Sequence, residues 1–397
     1  MWRNIASNAL SLFVVGLFVL GGLLAWGQTQ FKAAGPLAQT ICLKVAKGAS
    51  FRVVAEKLVA QGAVSSGMIF RLGADYSGRA GQLKFGSYLV PPNASMDAIV
   101  ALVSGDGQST CGVAVNYRIG VTGSDIVVLE LDNATNILEE VAKFVPGVDS
   151  EPAAFGAAMA ETDVRMQVTL AEGVTSWQVV EALKAVDFLN GEVAEVPAEG
   201  SLAPLGYEIE RGSERVALLA QMAAVQARVL ADLWVTRAEG LPVKTPEEAL
   251  VLASLVEKET GVVGERPLVA SVFVNRLREG MRLQTDPAVI YGITKGAGVL
   301  GRGLKQSELR KATLYNTYII TGLPPTPIAN PGRASIEAAL HPATSKFLFF
   351  VADGTGGHAF AETLAEHNEN VARWRVIEAD RAANPETGPA GDGTAAP

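Results

Sequence analysis

The stretch Leu252–Arg266, LASLVEKETGVVGER, carries two glutamates, Glu257 and Glu259, separated by a single lysine. No nucleophilic cysteine and no metal-binding spacing accompanies them, so the chemistry on offer is proton transfer by a carboxyl group. The run TPEEALVLASLVEKETG has the marks of a helix: Thr245 as cap, Pro246 at its first position, Glu248 completing a capping box and Gly261 placed to terminate it. At about 100° per residue, Val251, Leu252, Leu255 and Val256 fall on one side, and Ser254, Glu257 and Lys258 on the opposite, polar side. Glu259 falls inside the apolar arc. A carboxyl group there loses hydration when it ionises, which raises its pKa. It can then hold a proton near neutral pH and give it to a leaving group. Glu257 reads as a solvated surface acid. The competing reading of Glu259 is structural, a helix-end carboxylate paired with Arg266, Arg276 or Arg282.

The residues beyond this helix add polar groups suited to a saccharide. RPLVASVFVNRLREGMRLQTDPAVIYGI reads as a second helix ended by Gly280, a polar loop, and another apolar element. YNTYIITGLPPTPIANPG sets Tyr315, Asn316 and Tyr318 into a rigid proline loop. Tyrosine and asparagine supply the stacking and hydrogen bonds that a sugar polymer demands, although each also serves to fix loops.

The elements that must carry these residues belong to a chain of 397 residues, long enough for two or three domains. With 49% hydrophobic and 19% charged residues it is globular in composition. A net charge of -8 without a lysine or arginine stripe argues against nucleic acid as a partner. Near the N-terminus, Ala9 to Trp26 is apolar, and no charge occurs from Asn4 to Phe31. About 20 such residues cross a bilayer as a helix, whereas a signal peptide core is usually shorter, roughly 7–15 residues. With no clear small-residue cleavage site, the segment reads as a retained anchor. Arg3 before it and Lys32 after it give a weak orientation signal, read as N-terminus cytoplasmic and the remainder exported. Cys42 and Cys111, the only cysteines, lie in the exported part. A bridge between them would close a loop of about 70 residues, worth on the order of 4 kcal/mol in the chain-entropy model. Two unpaired buried thiols is the other reading, and sequence supplies no geometry to decide.

The expected organisation is α+β: residues 1–31 as cytoplasmic stub and transmembrane helix, 38–108 as a small βα module, 109–165 as an insertion or connection, 166–375 as a mixed α+β domain, and 376–397 as a disordered Pro/Gly/Ala/Thr tail. In the module, ICLKVAKGASFRVVAEKLVAQGAV predicts a strand and a helix with Val53, Val54, Leu58 and Val59 on its stripe. In the connection, VAVNYRIGV and DIVVLELD predict strands and NATNILEEVAKFV a helix.

LASLVEKET, VASVFVNRLREGMRLQTDPAVIYG, YNTYIITGLPPTPIANPG, ALHPATSKFLFFVADGTGGHAF and HNENV, in this order, closely resemble the MltG/YceG-like endolytic murein transglycosylase family. The resemblance covers roughly 168–375 and, more loosely, the module at 40–107, which looks like the family's LysM-like domain. It implies a single-pass inner-membrane protein whose catalytic domain faces the periplasm. The implied reaction is cleavage of the β-1,4 bond between N-acetylmuramic acid and N-acetylglucosamine in nascent glycan strands, leaving 1,6-anhydro ends. It implies no cofactor. Its implied partners are peptidoglycan glycan strands, the inner membrane and the peptidoglycan synthases or division and elongation machinery. The family's catalytic glutamate matches Glu259, and Asn275, Gln284, Asp286, Tyr315 and Asn316 lie on motif positions as expected substrate contacts. Leu205 and Gly206 stand where the family usually has an Asp-Thr pair.

Three other readings compete. A hydrolytic muramidase would need a second acid, for which Asp286 is the attractive choice. A non-catalytic, membrane-anchored glycan-binding scaffold needs none. A metal site would draw on His341, His358, His367 and Asp353, whose spacing matches no common zinc pattern. His358 and Asp353 read better as residues that orient the glycine-rich hairpin DGTGGHAF.

Overall fold

The structure is a computed structural model that describes residues 2–105, 110–132, 135, 137–161 and 163–383. The chain divides into two compact units, one formed by Met1–Asn116, Val127–Phe144 and Glu151–Met166, the other by Tyr117–Ile126, Val145–Ser150 and Gln167–Pro397.

The first unit begins with α1 (Trp2–Lys32), whose side chains from Leu12 to Trp26 lie open to the surroundings. Over Leu12–Lys32 its mean hydropathy is 1.8, so it is long and apolar enough to span a bilayer. The module follows as β1 (Ile41–Val45), α2 (Phe51–Ala60), α3 (Gly67–Tyr76), β2 (Gly86–Val90) and α4 (Met96–Val103). β1 and β2 pair antiparallel, from Ile41 opposite Val90 to Val45 opposite Gly86. Ser66 and Ser95 cap α3 and α4 by accepting from the amides of Ile69 and Ala98. Leu43, Val54, Leu58, Phe70, Ile99 and Val100 form the core. The buried stripe of α2 is Phe51, Val54, Ala55 and Leu58, not the expected set; Val53 and Val59 remain exposed. Spacing of three, one and three places the actual set on one helical face, and Val53 and Val59 fall outside that arc. The helix α3 had no counterpart among the elements expected from sequence. Cys42 and Cys111 form a disulfide, with Cα atoms 5.8 Å apart.

The region read as a connection contains β3 (Val113–Ile119), β4 (Ser124–Asp132), β5 (Ile137–Phe144) and α5 (Ala153–Ala160). With β6 (Arg165–Leu170) and β7 (Gly206–Ile209) the strands form one five-stranded sheet in the order β5-β4-β3-β6-β7. β5 corrects the helix expected in NATNILEEVAKFV. Ile137, Leu138 and Val141 mimic helical spacing, yet all three are exposed on an edge strand that pairs with β4. Residues 133, 134 and 136 of that segment lie outside the described ones.

The second unit is mainly helical. Thr175 and Gln178 form a capping box at the start of α6 (Ser176–Lys184). α7 (Arg215–Val235) is also long and apolar, but it buries Leu218, Leu219, Met222, Gln226 and Leu233 within the unit. α8 (Pro246–Glu259), α9 (Arg266–Arg278) and α12 (Arg333–Leu340) share a core of Leu252, Leu255, Val256, Phe273, Val274, Ile336 and Leu340. Between them come α10 (Asp286–Thr294) and the short α11 (Gln306–Leu309). The unit ends with the hairpin β8 (Phe349–Ala352) and β9 (His358–Ala361), then α13 (Leu364–Ala383). α13 runs past the expected boundary at 375, so 376–383 are helical; the rest of the expected tail, 384–397, lies outside the described residues.

Candidate functional site

The site is built on the C-terminal end of α8. The hydroxyl of Thr245 accepts from the Glu248 amide, and Glu248 Oε2 accepts from the Lys244 amide at 2.5 Å. The helix therefore starts where the sequence indicates, with the reciprocal bond shifted by one residue. Its end differs from expectation. Thr260 turns extended (φ -144°, ψ 130°), and Gly261 is not among the glycines with positive φ. Glu259 is the last helical residue and is half-buried.

Three segments surround its carboxyl group. Thr285 and Asp286 come from the start of α10, Arg276 from the last turn of α9, and His358 from the first residue of β9. Burial is the main cause that pushes the Glu259 carboxyl up to about 7, and the negative charge of Asp286 adds to it. The Thr285 hydroxyl, His358 and Arg276 pull the other way. The Thr285 hydroxyl is itself buried and has no hydrogen-bond partner of good geometry. Glu259 makes no salt bridge among the described residues; Arg276, the nearby cation, donates instead to the carbonyls of Leu348 (2.6 Å) and Leu283 (2.7 Å). The competing reading of Glu259, a helix-end carboxylate paired with an arginine, is thus not what the described residues show.

Glu257 departs further from expectation. Its side chain is 5% exposed, and it is not a solvated acid. Arg266 lies 3.4 Å from its Oε1 and 2.8 Å from Glu172, while the amide of Gly332 donates to its Oε2 at 2.9 Å. A Cβ on residue 332 would stand 1.8 Å from a Glu172 oxygen, so any side chain there would have to displace the Glu172 carboxylate from its present place.

The remaining candidates separate into two groups. Asp286 is at the site, with Oδ1 accepting from the Tyr318 hydroxyl at 2.6 Å. Gln284, two residues earlier, is exposed and has φ 52°, a left-handed conformation that costs a non-glycine residue on the order of 1 kcal/mol. Its loop is zipped to the tyrosine motif: the Gln284 amide donates to Thr317 O, the Thr285 amide to Thr317 Oγ1, and Thr317 Oγ1 to Thr285 O. Tyr315 packs against Tyr291 with ring centroids 5.1 Å apart, toward the far end of α10. Asn316 and Asn275 are internal braces rather than groups turned to a substrate. Asn316 is fully buried and donates to the carbonyls of Glu308, Leu309 and Lys311. Asn275 donates to those of Ser345 and Phe347.

His358 belongs to the site in a way that sequence reasoning missed. Its Nδ1 and its backbone amide both lie 2.8 Å from the Glu265 carboxylate. Asp353 does hold the hairpin turn, accepting from the amide and hydroxyl of Thr355. The signal for His358 was available only as a histidine starting an apolar strand, which fits many roles. Among the described residues no group of three or more His, Cys, Asp and Glu side chains could hold a metal ion.

The chain is similar to the endolytic murein transglycosylase of Bacillus subtilis (strain 168), at 28% identity over 361 residues, covering 90% of this chain and 91% of that protein. It is 30% identical over 237 residues to the endolytic murein transglycosylase of Streptococcus pneumoniae serotype 2 (strain D39 / NCTC 7466), covering 54% of this chain and 42% of that protein. The crystal structure of a yceG-like protein from Listeria monocytogenes aligns over 83% of this chain and 98% of that one, with a TM-score of 0.43 and 23% identity. The model of the YceG-like family matches residues 143–373, more than half of the sequence and the whole surround of Glu259. This chain belongs to the YceG-like family.

Proposed function

We propose that the chain is a membrane-anchored lytic transglycosylase, a lyase that cleaves nascent peptidoglycan glycan strands internally and limits their length. The bond is the β-1,4 linkage between N-acetylmuramic acid and N-acetylglucosamine, and the product carries a 1,6-anhydro-muramic end. The observation that carries this reading is Glu259, a half-buried acid without a salt bridge whose carboxyl is pushed up to about 7. The relatives named endolytic murein transglycosylases give the reaction class.

In the proposed cycle Glu259 gives its proton to the glycosidic oxygen as the bond from the anomeric carbon breaks. The positive charge that develops at that carbon is favoured by the nearby carboxylate of Asp286. The 6-hydroxyl of the same sugar then attacks the anomeric carbon and passes its proton to the Glu259 carboxylate, so the acid ends the cycle as it began. A nucleophile within the same ring has the advantage of a held geometry. The exposed apolar helix α1 serves as the anchor, with the N-terminus in the cytoplasm and the rest of the chain on the outer side of the membrane.

The presence of Asp286 beside Glu259 favours one second reading, hydrolysis with Asp286 as base for a water molecule. Mass spectrometry of products from purified peptidoglycan separates the two. Anhydro-muramic ends support the lytic reaction, and reducing ends establish hydrolysis.

A further inference from the structure

At the C-terminal end of α10, about 12 Å along the helix from Asp286, lies a cluster the proposed reaction does not use. Lys295 caps α10 in the left-handed conformation (φ 55°, ψ 31°), a position that helices commonly give to glycine. Glycine is the next residue, so nothing in the local sequence excludes it from the cap. A lysine here keeps its side chain at a backbone cost. That side chain is exposed, with Nζ 4.8 Å from the centre of the Tyr315 ring. Tyr315 in turn lies against Tyr291 and bonds through its hydroxyl to Thr326 at 2.7 Å. Gly292 permits this, since a Cβ there would stand 2.9 Å from the Tyr315 side chain.

The buried amide of Asn316, next in sequence to Tyr315, holds the turn that carries Arg310 and Lys311. Both are exposed, and neither makes an ion pair among the described residues. Glu308, the acid of that segment, is already paired with Arg302 at 2.6 Å. Three exposed cations thus lie on two segments, the end of α10 and the turn before Asn316, that meet at Tyr315 and Asn316, in a chain whose net charge is -8.

We propose that Lys295, Arg310 and Lys311 form an anion subsite for a carboxylate or phosphate substituent of the strand, held away from the bond being cleaved. This inference rests on the glycan-strand reading above. The subsite lies far enough along α10 that the substituent belongs to a sugar other than the one protonated by Glu259. Two sources share the chemistry: the carboxylates of peptide stems on the strand, and the phosphates of a lipid-linked strand end.

The test measures binding, not turnover, with the full chain in detergent carrying Glu259→Gln. The probes are glycan strands bearing peptide stems, the same strands stripped by an amidase, and lipid-linked strands with and without the pyrophosphate. The expected result is tighter binding of one charged form than of its stripped counterpart, by about threefold per cation engaged, and a loss of that preference at high salt. Lys295→Gly, and separately Lys295→Gln with Lys311→Gln, reduce the ratio toward one. Lys295→Gly relaxes the left-handed cap, so a merely structural lysine would give a protein at least as stable with its preference intact. Preference for stems identifies the carboxylates, and preference for the lipid-linked form identifies the phosphates. Equal affinity for all forms, or a ratio that the substitutions leave unchanged, overturns the proposal. Cleavage is not read, so failure of the proposed reaction would be seen separately as inactivity of the chain with Glu259 intact.

Discussion

Two faces of one helix end hold the same side chain in opposite circumstances. On one face of α8, Glu257 is enclosed by Arg266, the Gly332 amide and the neighbouring Glu172. On the other, Glu259 faces a carboxylate, an unpartnered hydroxyl and a histidine already engaged by Glu265. Burial alone therefore does not prepare an acid for catalysis. A buried carboxylate given a cation and a backbone donor becomes a fixed charge that ties three segments together. A buried carboxyl denied that pairing keeps its proton until something else takes it.

The largest test of this contrast is Glu259→Gln, which keeps the shape and removes the transferable proton. Strand cleavage measured by release of soluble muropeptides should fall by roughly 10³-fold or more. Stability should move the other way above neutral pH. The folded-state pKa lies above the unfolded value, so the native chain binds the extra proton between about 4.5 and 7. Stability attributable to this group is intact below that window and declines as pH rises through it. The glutamine variant lacks the decline and should be more stable at pH 8 by on the order of 2 kcal/mol. Retained cleavage would remove Glu259 from the mechanism.

Glu257→Gln should reverse the pattern. Leaving Arg266 without one of its two carboxylates costs about 3 kcal/mol, read as a lower denaturation midpoint. Activity per folded molecule should stay within about tenfold of the parent, because no proton is transferred there. If Glu257→Gln instead abolished cleavage in a stable protein, the roles of the two acids would have to be exchanged.

The range of each interaction decided whether sequence could reveal it. The apolar arc of α8 was legible because Val251, Leu252, Leu255 and Val256 set it within one helix, whereas the polar groups around Glu259 come from other segments. Glu257 was misread because Arg266 and Gly332 reach it from outside α8, and neither is visible to a helical wheel. Asn316 failed in the same manner, since three carbonyls from a preceding turn take its amide. β5 failed for a different reason. On an edge strand with exposed apolar residues, alternation is not enforced by a core, so the pattern carries no strand period. The α2 stripe shows the limit within a single helix, where residue type outweighed spacing and selected Val53 and Val59 over Phe51 and Ala55.

The smallest and sharpest test concerns the two neighbours that pull Glu259 in opposite directions. Asp286 raises its pKa and His358 lowers it. In Asp286→Asn the repelling charge is gone, Glu259 ionises at lower pH, and the alkaline limb of the kcat/KM profile should move toward acid. In His358→Gln an attractive charge is gone, the proton is held more firmly, and the same limb should move toward alkali. His358→Gln should alter the rate by less than about tenfold at any one pH. Asp286→Asn also removes the carboxylate that favours charge at the anomeric carbon, so it should alter the rate by more, though less than Glu259→Gln. The position of the limb is therefore the informative quantity. Hydrolysis with Asp286 as base would make Asp286→Asn nearly inactive instead of displaced in pH. Opposite displacements from two residues on different segments would tie the limb to the one group between them, because no property of the fold as a whole responds with both signs.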